Sequence, residues 1–149
     1  MTPRISVVVP AFNEERLLAG SLAAMRDAMR VFEEAGWRTE LIVCDNNSTD
    51  RTAEIARAAS ARVVFEPVNQ IARARNAGAA HASGDWLLFI DADSYPSLDL
   101  FRDVVSRIKS PDTLAGGATV DFDTDERLVR WWIAAWNFMS RRMRLAAGS

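Results

Sequence analysis

The sequence predicts an α/β fold, a mostly parallel sheet with helices on both faces. Three observations carry this. Short β-branched or aliphatic runs alternate with segments of helical periodicity. The connections between them are short. Polar, turn-forming residues gather where the apolar runs end.

Ile5 to Val9 is β-branched and reads as a buried parallel strand, with Pro10 as its stop. Asn13 is placed to cap the next helix, with Glu14 and Glu15 in its electropositive first turn. Leu17, Leu18, Leu22, Met25, Met29 and Phe32 recur at helical spacing, and Gly36 closes the helix. Glu40 to Cys44 is a second strand. The polar turn Asp45 to Asp50 follows, then a short helix from Arg51 to about Ser60. Arg62 to Phe65 is a third strand, and Gln70 to Ala82 is an Ala-rich helix stopped by Gly84. Trp86 to Ile90 reads as a buried fourth strand. Ser97 caps a helix to about Lys109, and Leu114 to Phe122 reads as another strand.

The chain has 149 residues, the length of one ordinary domain, and 49% of them are hydrophobic, enough for a real core. A net charge of -2 provides no basic field for nucleic acid. The one cysteine, Cys44, excludes a disulfide within the chain and fits a reducing compartment. Met1 to Arg4 lead straight into a strand without a signal-peptide core, and no run of about 18 apolar residues appears. The expected location is cytoplasmic.

In open parallel sheets, ligands bind beyond the carboxyl ends of the strands. Asn13 and Glu14, Asp45 and Asn46, and Asp91 and Asp93 all fall at such ends. Asp91 and Asp93 follow an apolar run, and in an extended segment residues two apart point the same way. Paired carboxylates repel unless a cation joins them, and oxygen-only ligands favour Mg2+ or Mn2+ shared with substrate phosphates. The alternative is that Asp93 caps the next turn and Asp91 is solvated. His81, the one histidine, reads as a helix-end residue, and Cys44 as a small buried side chain. Asp121 and Asp123 form a second Asp-x-Asp, read as the capping region of a further helix.

The blocks VVVPAFNEERLL, LIVCDNNSTDRTAEIA, ARARNAGAAHASGDWLLFIDAD and AGGATV run in order from Ile5 to about Val120. Together they resemble family 2 glycosyltransferases of the Rossmann-like GT-A fold. The resemblance implies transfer of a sugar from a nucleotide diphosphate donor, UDP-sugar above others, with metal assistance and inversion. It places Pro10, Ala11, Phe12 and Glu14 along the nucleoside, with Glu14 near the ribose or base. It puts Asp45 and Asn46 in the uracil-contact region, where Asn46 stands in place of the family's second acid and could pair with the base edge through its amide. Arg75 corresponds to the nucleotide-side arginine, with Arg73 as a helper. Asp91, Ala92 and Asp93 correspond to the metal-binding Asp-x-Asp, in which Asp91 and Asp93 hold Mg2+ or Mn2+ and Asp93 is the stronger candidate for direct coordination. On this reading residues 1–122 are the nucleotide-sugar-binding core.

Residues 123–149 then begin an acceptor-side region. A Trp/Arg-rich amphipathic helix over residues 126–145 carries Trp131, Trp132, Trp136, Phe138 and Met139, and Arg141, Arg142 and Arg144 end it. Its wide apolar face suits packing against protein, a second copy included, or contact with a membrane surface or lipid-linked acceptor. That would put the protein at the inner face of the membrane. The family's later Gly-Gly-Phe-Asp turn and acidic base do not occur before Ser149, so the catalytic base is unassigned, as is the saccharide or lipid-linked acceptor. A catalytically incomplete nucleotide-binding fragment is the alternative function. A phosphatase is disfavoured because its Asp-x-Asp belongs on the first strand with a lysine partner, and Lys109 is the sole lysine. An NAD-dependent oxidoreductase lacks its Gly-x-Gly-x-x-Gly after the first strand.

Overall fold

The structure is a computed structural model that describes residues 2–111 and 113–117. Its elements follow in the order β1 (Arg4–Ala11), α1 (Leu18–Glu34), β2 (Arg38–Asp45), α2 (Thr52–Ala58), β3 (Arg62–Phe65), α3 (Ile71–Ala80), β4 (Trp86–Phe89) and α4 (Leu98–Lys109). The four strands are all parallel and lie in the order β3-β2-β1-β4. Residues 1–106 form one compact unit.

Two crossovers step from β1 to β2 to β3, and the third returns to the far side of β1. That reversal puts α1 and α2 on one face and α3 on the other. The α3 face holds Ile42, Cys44 and Val64 against Ala74, with Ala77 and Ala82 at its margin. The α1 face is filled by Leu18, Leu22, Met25 and Phe32, all fully buried. Leu17, expected in that stripe, is instead 45% exposed, because the helix starts one residue later.

Gly36 closes α1 as expected, with φ +80. Its N–H donates to Glu33 and the Trp37 N–H to Phe32, which satisfies the last carbonyls of the helix. The same motif stacks Trp37 on Phe32, with ring centroids 5.8 Å apart. Phe101 of α4 also packs against Phe32, with ring centroids 4.9 Å apart. Ser97 caps α4 as expected, its Oγ accepting from the Leu100 N–H at 3.2 Å.

Three expectations change. Pro10 does not stop β1, which runs on to Ala11. The Val8 carbonyl accepts from Ile90 on the β4 side, and the Ala11 carbonyl from Asn46 on the β2 side. By alternation Pro10 faces the β4 side, where pairing has already ended at Val8 and Phe89, so its missing N–H leaves no ladder bond unmade. Second, β4 is not a buried strand but an edge of the described sheet. Its Leu87 and Phe89, in register with Ser6 and Val8, lie on the α3 face beyond the reach of that helix and are each 42% exposed. Third, the strand expected from Leu114 does not begin within residues 113–117, where Leu114 is 93% exposed. The rest of that strand, the helix over 126–145 and the proposed boundary at 122/123 lie outside the described residues. Among the described residues no helix is long and apolar enough to cross a membrane.

The small residues of α3 are required by its approach to the sheet. A Cβ on Gly78 would run into Cγ1 of Val8 and lie 3.6 Å from the Cys44 Cβ. Val8 is fully buried and branched, so it cannot swing aside. Gly78→Ala is expected to destabilise the fold by about 1–3 kcal/mol despite the better helix propensity of Ala. In a Val8→Ala background the obstructing methyl is gone, and the same substitution is expected to stabilise. Urea unfolding of the four proteins in this cycle measures the coupling, and additive effects would contradict the packing account.

Candidate functional site

The strand order reverses between β1 and β4, so a crevice opens past their carboxyl ends. A cleft of about 550 Å3 occupies that position. Three loops build it.

The first loop, after β1, is stapled to the loop after β2. The Asn13 N–H donates to Ser48 Oγ at 3.0 Å, and Asn13 Oδ1 accepts from the Thr49 N–H at 2.8 Å. The Glu14 N–H donates to Thr52 Oγ1, and the Glu15 N–H to Asp50 Oδ2. Asn13 and Asn47 hold left-handed backbone, at φ 54 and 62, which asparagine tolerates better than most residues. Asn13 therefore does not cap α1. That helix begins at Leu18 without a side-chain cap, after a turn in which the Glu14 carbonyl accepts from Leu17 and Leu18. The polar run 45–50 thus braces the first loop, and Asp50 Oδ1 also accepts from the Thr52 N–H at the start of α2. It leaves Phe12 47% exposed on the cleft and turns Glu14 toward it.

The second loop leads from β3 into α3, and Asn46 fixes it. Asn46 is 4% exposed. Its Nδ2 donates to the carbonyls of Glu66 and Val68, at 3.2 and 2.6 Å, and its Oδ1 accepts from the Gln70 N–H at 2.9 Å. Two carbonyls and one N–H determine the amide orientation without ambiguity. Both N–H groups of this amide are thus engaged by the protein's own carbonyls, while the residue still lines the cleft. Asp45 is buried, and its Oδ1 accepts from the Ser48 N–H at 3.1 Å within its own loop. It is not among the cleft-lining residues. Asn46 and Gln70 together present the amino terminus of α3, which lacks a side-chain cap, at the cleft. Arg73 pairs with Glu66 at 3.2 Å and is not among the cleft-lining residues. The Val68 N–H first, then Arg73, hold the Glu66 carboxyl below its ordinary value.

The third loop follows β4. Asp91 and Asp93 were expected on an extended segment, but the Ser94 N–H donates back to the Asp91 carbonyl at 3.1 Å, so the two acids sit in a tight turn. Ala92, 4% exposed, anchors the turn between them. Ser21 of α1, fully buried, donates to the Ser94 carbonyl at 2.7 Å, and Tyr95 lies over Gly20. Both carboxylates still line the cleft. Arg75 Nη2 donates to Asp91 Oδ1 at 3.0 Å.

Burial foremost, and then the charges of Asp93 and Asp50, push the Glu14 carboxyl above its ordinary value. The cleft thus concentrates negative charge on its β1 and β4 sides, with Arg75 between. Among the described residues no group of three or more His, Cys, Asp or Glu side chains converges as a metal cage. Two exposed carboxylates on one turn suit a hard cation that completes its sphere with water and ligand oxygens.

The cleft brings together Pro10, Ala11, Phe12, Glu14, Asn46, Arg75, Asp91, Ala92 and Asp93, and leaves out Asp45. Sequence reasoning missed Asn69, Gln70 and Ile71, which also line it. Their signal was positional: in this topology the start of every helix lies on the strand-end side. The remaining candidates are structural. Burial pushes the Cys44 thiol up to about 11, which makes it a poor nucleophile. His81 ends α3, and its Nδ1 lies 2.8 Å from the Ala77 carbonyl. The region of Asp121 and Asp123 is outside the described residues.

Residues 6–147 match the model of a protein family described as Glycosyl transferase family 2. An uncharacterized glycosyltransferase of Mycobacterium tuberculosis is 38% identical over 113 residues, which are 75% of this chain and 47% of that protein. A dolichyl-phosphate beta-glucosyltransferase of Trichomonas vaginalis is 31% identical over 121 residues, 76% of this chain and 36% of that one. Among solved structures, glucosyl-3-phosphoglycerate synthase from Mycobacterium tuberculosis in complex with Mn2+, UDP and glucosyl-3-phosphoglycerate superimposes with a TM-score of 0.61. The identity is 32%, over 74% of this chain and 41% of that one. TarS of S. aureus in complex with UDP gives a TM-score of 0.58 at 28% identity, over 72% of this chain and 32% of that one. The chain spans less than half the length of each of these proteins.

Proposed function

Because the chain belongs to glycosyl transferase family 2, we propose that its strand-end cleft binds the diphosphate and nucleoside of a sugar donor, UDP-sugar above others. The whole protein then transfers the sugar, with inversion, to a saccharide or lipid-linked acceptor. One observation carries this reading: the loop from Pro10 to Glu14, Arg75 and the Asp91–Ala92–Asp93 turn meet in a single cleft at the switch point of a parallel sheet. UDP in the structural relatives supports the choice of nucleotide.

Each residue has a task that its position supports. Pro10, Ala11 and Phe12 offer an apolar wall to the base. Glu14, with its carboxylate at the lip, accepts hydrogen bonds from ribose hydroxyls. Arg75 sets its guanidinium against the diphosphate oxygens, where bidentate pairing is strong. Asn46 holds the α3 terminus in place rather than reading the base. Asp91 and Asp93 would hold Mg2+ or Mn2+, which offsets the negative charge that develops on the leaving diphosphate. A proton must also leave the acceptor hydroxyl, and no residue of this cleft is assigned that task. We place residues 123–149 on the acceptor side, in contact with a membrane surface or a second copy, and the protein in the cytoplasm.

Because no residue of this cleft is assigned as the base, a second reading is a nucleotide-binding unit that is catalytically incomplete by itself. Both readings make the same first prediction. Calorimetric titration of the 149-residue chain is expected to show UDP binding that requires Mn2+ and exceeds GDP binding. Absence of nucleotide binding, or binding indifferent to Mn2+, would remove the metal-diphosphate assignment.

A further inference from the structure

Arg75 and Asp91 come from separate elements, α3 and the turn after β4, and meet at 3.0 Å across the cleft. The Arg75 side chain is the more enclosed partner, 30% exposed against 59% for Asp91. Its Nε–H is buried without a partner among the described residues. A buried N–H without an acceptor is unfavourable. This guanidinium is therefore held by one carboxylate and retains donor capacity that no group among the described residues uses. Asp93 forms no ion pair among the described residues, and it faces the like charge of Glu14.

We infer that Arg75 and Asp91 form an interlock that makes divalent-cation binding at this turn conditional on a diphosphate. While the guanidinium holds Asp91, an entering cation must share that carboxylate with a fixed positive charge, and only Asp93 is fully available to it. A diphosphate offers the guanidinium more oxygens in a geometry that its fork matches. Transfer of Arg75 from Asp91 to the diphosphate releases the carboxylate to the cation. Nucleotide and cation then bind with positive coupling, and neither occupies the cleft well alone. This rests on the nucleotide-diphosphate reading of the cleft and adds to it the device that ties its two ligands together. If Arg75 were only a phosphate contact, its removal would weaken UDP and leave the cation unaffected.

The test follows free Mn2+ by its paramagnetic resonance signal in the presence of the full chain, with and without UDP. The wild type is expected to bind Mn2+ weakly, and UDP to tighten that binding by about 5- to 150-fold. In Arg75→Gln, Mn2+ alone is expected to bind about 5-fold or more tighter than to wild type, with the UDP coupling reduced by a similar factor, to what direct metal–diphosphate contact supplies. Asp91→Asn provides the reciprocal test, which holds even if Arg75→Gln does not fold. Its released guanidinium should bind UDP more tightly than wild type does in the absence of metal. Unchanged Mn2+ binding in a folded Arg75→Gln, or unchanged metal-free UDP binding in Asp91→Asn, overturns the interlock alone. A wild type whose Mn2+ binding ignores UDP overturns both the interlock and the reading it rests on.

Discussion

Asp93→Asn is expected to abolish the Mn2+ dependence of UDP binding while leaving the fold intact. With Mn2+ present, UDP affinity should fall by at least about 100-fold, since groups that merely support a metal ligand already contribute 10- to 100-fold. The carboxylate is solvent-exposed and forms no ion pair among the described residues, so its neutralisation removes no internal partner. Stability should even rise slightly at neutral pH. The sign follows from Glu14, whose carboxyl is raised by burial first and by Asp93 second. A carboxyl raised in the folded state contributes stability at low pH that is lost as pH rises through its folded value. Removal of one repelling charge lessens that loss and brings Glu14 closer to its ordinary titration. Calorimetry with and without Mn2+, a thermal melt and an NMR titration of Glu14 test the three parts separately. Full Mn2+ dependence in Asp93→Asn would take the metal away from this turn.

The same turn illustrates what the sequence disclosed and what it hid. Strand and helix periods depend on neighbours a few residues apart, so β1, β2, β3 and α1 were legible from their apolar spacing, and the family blocks carried the fold. The conformation around Asp91 was less so, because a hydrogen-bonded turn and an extended end have the same composition. Its choice rests on Ser21 and Gly20, about seventy residues earlier, which receive Ser94 and Tyr95. Pro10 misled for a similar reason. A proline stops a strand only where its N–H is needed, and that depends on where the neighbouring strand ends. The depth of β4 was hidden too, because an apolar run does not state which element covers it. Asn13 looked like a helix cap because capping and loop bracing use the same side-chain oxygen, and only the partner, Thr49 rather than a helical N–H, separates them.

Asn46→Ala is expected to lower stability by about 2–4 kcal/mol, because it leaves two carbonyls and one N–H without the partner that served all three. The wild-type amide contacts Glu66, Val68 and Gln70 in one loop, so their losses fall on the same few residues. Asn69→Ala is the control. It removes a single exposed bond from Asn47 and should cost under about 1 kcal/mol. The comparison also decides between two roles for Asn46. A base-reading amide would lose nucleotide affinity upon truncation with stability largely kept. A brace loses stability first, and affinity for UDP then falls with it, because the α3 terminus that carries Gln70, Ile71 and Arg75 is no longer fixed to β2. Discrimination between UDP and GDP separates the cases further. A lost base contact narrows it, whereas a lost brace weakens both nucleotides together. Chemical unfolding and parallel titrations with the two nucleotides, at a temperature where the variant remains folded, provide the measurement. A variant of wild-type stability that no longer distinguishes UDP from GDP would return Asn46 to the base.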